Sequence, residues 1–317
     1  MMIEESNSTN RNQLSERVIR NEDIFCSLLL DHNNRTLRVI DFRGGNFQSK
    51  HAYLERVLMT EGMRKIFTLI ERDDMNGWQR VGYQREGSIP GYYKRSDAYV
   101  MSRIYDADYD FKNAQSEESL ENKEFVASAK ALGKEFSEQK GSSVRVEQVS
   151  EDQAVEIIKE ERERLVAKAS TAKASKLKSP KKTKDIDIPE ATDARPIFQQ
   201  FSRQVEYFYY DVRNRRTKQA NLIGAEFQDC FGNTKINVYF SPNSRPERNL
   251  VKMGLMNAID NLVEKGAVSV FSTVKADDLN MNALFASAGF RNTGWLNRQI
   301  LTANSTVDLV LWTKKLI

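Results

Sequence analysis

The sequence predicts an α/β fold in which helices flank a mixed, largely antiparallel sheet. Three observations predict it. Short β-branched or alternating runs, such as Leu37 to Phe42 and Val268 to Val274, recur along the chain and read as strands. Amphipathic segments closed by glycine lie between them, such as Ser49 to Gly62 and Val251 to Glu264 before Lys265-Gly266, and these read as helices. One pattern also occurs twice, first as EGMRKIFTLIERDDMNGWQRVGYQREG and later as EKGAVSVFSTVKADDLNMNALFASAGFRNTG. Each copy passes from a helix end with glycine through a strand bearing Phe-Thr or Phe-Ser to Asp-Asp, a short helix and Gly-aromatic.

At 317 residues the chain is long enough for one large or two ordinary cores. Its apolar content is ordinary and its charge high, which predicts a globular, soluble chain with some solvated linker. No apolar run approaches membrane-spanning length, and Met1 to Arg20 lacks the apolar stretch of a secretory signal. Cys26 and Cys230 lie far apart without a CxxC, so a reducing, cytoplasmic setting is expected. With only His32 and His51 available, neither a histidine triad nor a metal site is expected. The net charge of +4 hides an asymmetry: eight Lys or Arg and no acid lie between Arg164 and Lys184, leaving the remainder mildly acidic.

Taken in order, residues 1–20 read as a flexible, polar N-terminus. Ile24 to Leu30 and Leu37 to Phe42 are expected strands around a turn at Asp31 to Asn34. Gly44-Gly45 lacks the spacing of a dinucleotide fingerprint and reads as a turn. The helix from Ser49 to Gly62 carries Ala52, Tyr53, Val57 and Leu58 on its apolar side. Lys65 to Ile70 is a strand, and Asp73-Asp74 starts a short helix ended by Gly82-Tyr83. Tyr105 to Ser143 is polar connector with a helix over Phe125 to Phe136. Val144 to Val149 is a strand, and Ser150-Glu151-Asp152 caps a helix through Leu165. Ala167 to Asp185, rich in Lys, reads as a solvated insert, and Pro189 to Gln204 as holding a short helix. Val205 to Val212, Leu222 to Cys230 and Asn233 to Phe240 are three antiparallel strands, the first two joined by a basic hairpin over Arg213 to Lys218. Tyr207 to Tyr210 is an aromatic run, half of it expected in the core. Asp277-Asp278 caps a helix ended by Gly289, and Phe290 to Trp295 begins a further strand.

The succession from Lys265 to Trp295, with Ala288-Gly289-Phe290 after its helix, resembles the C-terminal half of GNAT-superfamily acyltransferases. In that family the helix and the turn flank the acyl-CoA cleft. The resemblance continues through Leu296 to Ile300 and Val310-Leu311-Trp312, where it is to the beta-lysine N-acetyltransferase branch in particular. Asp31 to Ile104, with Thr36 to Val39, Ile40 to Gly44, Ile89 to Tyr93 and Asp97-Ala98-Tyr99, resembles the domain that precedes the catalytic one in that branch. The resemblance implies a GNAT-like half-domain over 21–105, a connector over 106–140, and a GNAT-like acyltransferase domain over 141–317 carrying the insert at 167–185.

It also implies a place for acetyl-CoA. The family's fourth strand runs into a glycine-bearing loop whose N–H groups, at a helix N-terminus, hold the pyrophosphate. The implied cofactor-binding positions here are Phe240, Arg245, Arg248, Asn249, Leu250, Asn282 and Phe285. The loop is degenerate: Glu247 and Asn249 stand at glycine positions and Pro246 at the leading arginine, so acetyl-CoA binding is expected to be weak or lost. Lys235 stands where a general-base glutamate would act, Val238 where the branch has aspartate, and Phe285 where many members carry a tyrosine acid. Glu226 and Asp229 on the preceding strand are the nearest substitute bases, and no catalytic residue is assigned. Three functions follow as expectations. The first is an acyl-CoA-dependent N-acyltransferase acting on a small amine or amino acid of the beta-lysine kind. The second is an inactive scaffold for a protein partner. A minor third is a binder of an acidic partner through the Lys-rich insert. Nucleic acid is not expected, because neither basic segment has interleaved aromatics.

Overall fold

The structure is a computed structural model that describes residues 2–6, 14–42, 44–106, 111–136, 144–174, 205–215, 220–302 and 305–316. The first half of the chain forms strands β1 (Met2–Ser6), β2 (Leu14–Arg20), β3 (Phe25–Asp31) and β4 (Thr36–Asp41), helix α1 (Phe47–Glu61), strand β5 (Lys65–Ile70), helix α2 (Met75–Arg80), and strands β6 (Gln84–Ile89) and β7 (Ala98–Ile104). Helix α3 (Phe111–Gly133) crosses to the second half. There follow β8 (Val144–Val149), α4 (Glu151–Ala174), β9 (Glu206–Asn214), β10 (Ala220–Gln228), β11 (Asn233–Val238), α5 (Arg245–Glu264), β12 (Ser269–Lys275), α6 (Leu279–Ser287), β13 (Arg291–Leu301) and β14 (Thr306–Lys315).

Among the described residues all fourteen strands lie in one sheet, in the order β1-β2-β3-β4-β5-β7-β6-β13-β14-β12-β11-β10-β9-β8. Read outward from the centre, the two arms have the same order and the same pairing senses. In each arm one parallel pair, β4/β5 or β11/β12, sits among antiparallel neighbours. The register also corresponds: Arg38 opposes Phe67 across β4/β5 as Lys235 opposes Phe271 across β11/β12. Even the irregularities agree, with a bulge before Gly87 in β6 and one before Gly294 in β13. β5 and β12, the strands of the twice-occurring pattern, hold the same place in each arm.

The arms meet where β6 pairs antiparallel with β13 through Gly87 and Gly294. Both positions need glycine for close backbone approach: a Cβ on Gly294 would lie 2.5 Å from the Gly87 Cα and 2.6 Å from the Glu86 carbonyl oxygen. Side chains then knit the join. Lys65, fully buried, donates to both carboxylate oxygens of Glu86 at 2.9 and 2.8 Å and to the Asn297 carbonyl at 2.6 Å. Burial pushes the Lys65 ammonium down and the Glu86 carboxyl up, each opposed by the other's charge. Arg64 donates to the Arg298 carbonyl, Ser269 to the Pro90 carbonyl, and Asn233 to the Tyr92 carbonyl. An apolar cluster including Ile89, Tyr92, Val100, Phe271, Leu296 and Leu311 fills the space between the arms.

Each arm has its own helix-on-sheet core. In the first, α1 turns Leu54, Val57 and Leu58 onto Leu28, Leu37 and Ile66, and Gly62 ends the helix in the left-handed conformation. In the second, α5 lays Leu250, Val251, Leu255, Ile259 and Leu262 on Tyr210, Ile223 and Ile236, and α6 packs beside it. Among the described residues no helix is long and apolar enough to cross a membrane.

Several expectations are corrected. Residues 1–20, expected to be flexible, supply β1 and β2 at the sheet edge, where β2 pairs along its whole length with β3. Among the described residues the first arm carries as many strands as the second, so it is not a half-domain in strand count. The polar connector holds a helix of 23 residues, longer than the predicted one, and Gly133 lies against α6. α4 runs past Leu165 to Ala174, taking in the first residues of the Lys-rich insert; its remainder lies outside the described residues, as does the helix predicted over Pro189 to Gln204. α5 begins at Arg245, six residues before the predicted start, because Ser244 is a strong N-cap and Pro246 suits the first turn.

Candidate active site

The site develops where β11 and β12 separate. They pair in parallel through Asn233/Ser269, Thr234/Val270 and Lys235/Phe271, and then β11 runs on to Val238 and β12 to Lys275 without pairing to each other. Unpaired backbone between parting strands offers N–H and C=O groups to an extended ligand. At the far end of this gap Ser241 donates to the Asp278 carboxylate at 2.9 Å, tying the loop after β11 to the N-cap of α6.

The N-terminus of α5 is occupied by the chain itself. Ser244 and Glu247 form a reciprocal capping box: the Glu247 N–H donates to Ser244 Oγ, and Glu247 Oε2 accepts from the backbone N–H groups of Asn243 at 2.9 Å and Ser244 at 3.2 Å. Pro246 contributes no N–H. The Arg248 N–H donates to the Ser244 carbonyl as an ordinary helical bond. A carboxylate therefore sits where a pyrophosphate would need donors, and these residues do not fit that group.

The other predicted cofactor contacts scatter. Phe240 is buried against Tyr209, Leu222 and Ile157 under α4. Arg245 is exposed, and Arg248 lies over the Phe136 ring at 5.4 Å, turned toward the end of α3. Asn249 and Leu250 face the interior, because the early helix start carries them into the second turn. Asn282 is wholly buried: its amide donates to the carbonyls of Lys275 and Asp278, and its oxygen accepts from Trp312 Nε1 at 2.8 Å. It locks α6 to β12 and β14. Phe285 is core, edge-on to Phe290. Asp229 is exposed in the turn after β10.

What the structure does bring together is Lys235 and Glu226. They oppose each other directly across β10/β11 at the last paired position before the gap, and both are buried. Burial pushes the Lys235 ammonium down to about 8, with Glu226 opposing the shift and Arg38 adding to it. A lysine so placed is partly neutral near neutral pH and can accept a proton, whereas an exposed lysine cannot. The sequence alone does not reveal this role, because its signal, the depressed basicity, comes from burial and from Arg38 in the other arm. Two positions on along β11 lies half-buried Asn237, and two on along β12 lies half-buried Thr273; both are on the face that carries Lys235 and Phe271. Half-buried Tyr207 opposes Glu226 on the same face, so part of the aromatic run borders the site.

No protein-family model matches the chain, and no curated protein sequence matches it. Solved structures similar to it include acetyltransferases. A protein from Acinetobacter baylyi assigned as an acetyltransferase is 15% identical over 56% of this chain and 94% of its own, with a TM-score of 0.38. The ribosomal-protein-alanine N-acetyltransferase of Brucella melitensis is 19% identical over 34% of this chain and 69% of its own, TM-score 0.30. The microcin C7 self-immunity acetyltransferase MccE, solved with acetyl-CoA and AMP, is 15% identical over 36% of this chain and 62% of its own, TM-score 0.31. Likeness of this degree assigns no activity to this chain.

Proposed function

We propose that this chain is a GNAT-type N-acyltransferase-like protein acting on a small amine, with amino acids of the beta-lysine kind among its acceptors, and that it holds acetyl-CoA weakly. Lys235 carries the reading. It stands at the branch of the parallel pair, buried beside Glu226, with its basicity lowered into the range where it can take a proton from an acceptor ammonium. The same proposal takes the two arms as copies of one unit and places the protein in the cytoplasm. The test is titration with acetyl-CoA by calorimetry, together with thiol release in the presence of small amines. Weak binding with slow turnover that Lys235→Met abolishes is expected; turnover unchanged by Lys235→Met would overturn it.

A second reading, a scaffold that binds a protein partner without turnover, is favoured by the Glu247 cap and by the Ser241–Asp278 bridge across the gap. Absence of both binding and turnover, in the parent and in Glu247→Ala, would establish it over the first. Binding of an acidic partner through the Lys-rich insert rests on residues mostly outside the described ones.

A further inference from the structure

We propose that two copies of this chain associate through β8, pairing edge to edge about a two-fold axis at Val146. Among the described residues β8 is the last strand of the sheet, and no strand pairs with its outer edge. An open edge presents a row of backbone N–H and C=O groups, and monomeric proteins protect such edges with proline, a bulge or lysine. β8 has none of these. Its pairing with β9 runs unbroken from Val144/Asn214 to Val149/Tyr209, and its two charged residues, Arg145 and Glu147, are exposed and of opposite sign. Val144 and Val146 pack against the core that α5 covers and remain half-buried, so the edge leaves apolar surface for a partner to cover.

The charges select both the partner and the register. When two copies pair antiparallel with matching faces together, residues that oppose each other differ by an even number. Centred on Val146, Arg145 of each copy opposes Glu147 of the other. Centred one residue to either side, Arg145 or Glu147 would oppose its own kind. Within one chain these side chains already lie beside like charges: across β8/β9, Arg145 opposes Arg213 and Glu147 opposes Asp211. Each strand pairs its charges along its own length, Arg145 with Glu147, and Arg213 with Asp211 at 2.6 Å. Burial holds the Asp211 carboxyl up, Arg213 opposes the shift and Glu147 adds to it. The two-fold pair continues each row as Arg213, Arg145, then Glu147 and Asp211 of the second copy, so a cationic end meets an anionic one. The other edge strand, β1, offers Glu4 and Glu5 and no cation, and two copies of it would bring acids together. A two-fold contact closes at the dimer. β9 and β10 separate β8 from the β11/β12 gap, so the contact stands or falls separately from acyl transfer.

Sedimentation velocity of the full chain over a concentration series tests it. The edge is short, so the parent should dimerise with a dissociation constant in the micromolar range, and its mass should stop at the dimer. Glu147→Arg and Arg145→Glu should each weaken dimerisation about tenfold or more, since each sets like charges opposite one another across the two-fold. Within the chain each change places an opposite charge across from β9, beside Asp211 or Arg213, so neither should lower the melting temperature. Mixed in equal amounts, the two variants should dimerise as the parent does, because each supplies the charge the other lacks. A parent that stays monomeric would overturn the proposal and leave the edge to another occupant. Growth beyond the dimer, or equal dimerisation by the parent and both variants, would overturn it too. So would a mixture that associates no better than either variant alone, and that comparison separates loss of the edge contact from loss of the fold.

Discussion

Glu247 gives the sharpest test of the proposal that acetyl-CoA is held weakly. Its carboxylate accepts from two backbone N–H groups at the start of α5, those of Asn243 and Ser244, while Ser244 Oγ returns the bond. Glu247→Gln preserves an acceptor for the capping box and removes only the charge. A like-charge contact at a partly exposed site is worth about 1 kcal/mol, so this change should tighten acetyl-CoA binding about fivefold. Glu247→Ala removes the acceptor as well and frees both N–H groups for a phosphate. Charge-assisted bonds of this kind contribute about 1.5–3 kcal/mol each where they form, so a gain beyond that of the Gln variant is expected. The same variant should lose about 1 kcal/mol of stability with the cap. Asn249→Gly, which the glycine pattern of the family would suggest, should not help: Asn249 faces the interior, and the change adds only a helix-weakening glycine. Calorimetric titration of the three variants beside the parent, with urea unfolding of each, decides the matter. If Glu247→Ala folds and binds acetyl-CoA no better than the parent, the cap is not what closes the site, and the reasoning fails.

Three further outcomes are expected. Gly294→Ala should cost about 3 kcal/mol or more in urea unfolding, because its Cβ would meet Gly87 and Glu86 backbone that cannot give way, whereas Gly44→Ala, with only Asp74 at 3.5 Å, should stay within about 0.5 kcal/mol; equal effects would refute the close approach. Glu86→Gln should destabilise by about 3–5 kcal/mol by leaving Lys65 buried without its carboxylate, and a loss under about 1 kcal/mol would count against a structural role for the pair. Lys235 gives up its proton at about 8 in the folded chain and at its ordinary value of 10.5 when unfolded, so between those values the unfolded state binds more protons and stability climbs with pH. The penalty below about pH 8 is about 3 kcal/mol, and Lys235→Met should flatten the rise seen by urea unfolding from about pH 8 to about pH 10; an unchanged slope would mean Lys235 is not the group responsible.

Much of the fold was legible because local rules decide it. Lys65 to Ile70 and Val144 to Val149 are strands with the predicted bounds, since β-branched runs bounded by turn residues leave little choice. The Asp278 cap and the turn at Gly266 follow from side chains that satisfy helix ends within a few residues of themselves. β2 is too polar to read as a strand and becomes one by pairing with β3. The early start of α5 is set by Ser244, Pro246 and Glu247, which act as a cap although they stand where the resemblance implies a phosphate loop.

The sequence by itself determined those secondary elements whose ends are set by turn and capping residues, the twice-occurring pattern, and the absence of glycine at the positions where the resemblance implies a phosphate loop. Those are properties of neighbouring residues, and neighbours are enough to set them. Only the tertiary structure decided that the two copies end on glycines that face each other, Gly87 and Gly294, and so fuse two arms into one sheet. Only it decided that Arg38 and Lys235, 197 positions apart, share one buried place. A lysine's basicity is set by what excludes water from it and what charge lies beside it, and neither is a property of the chain on either side.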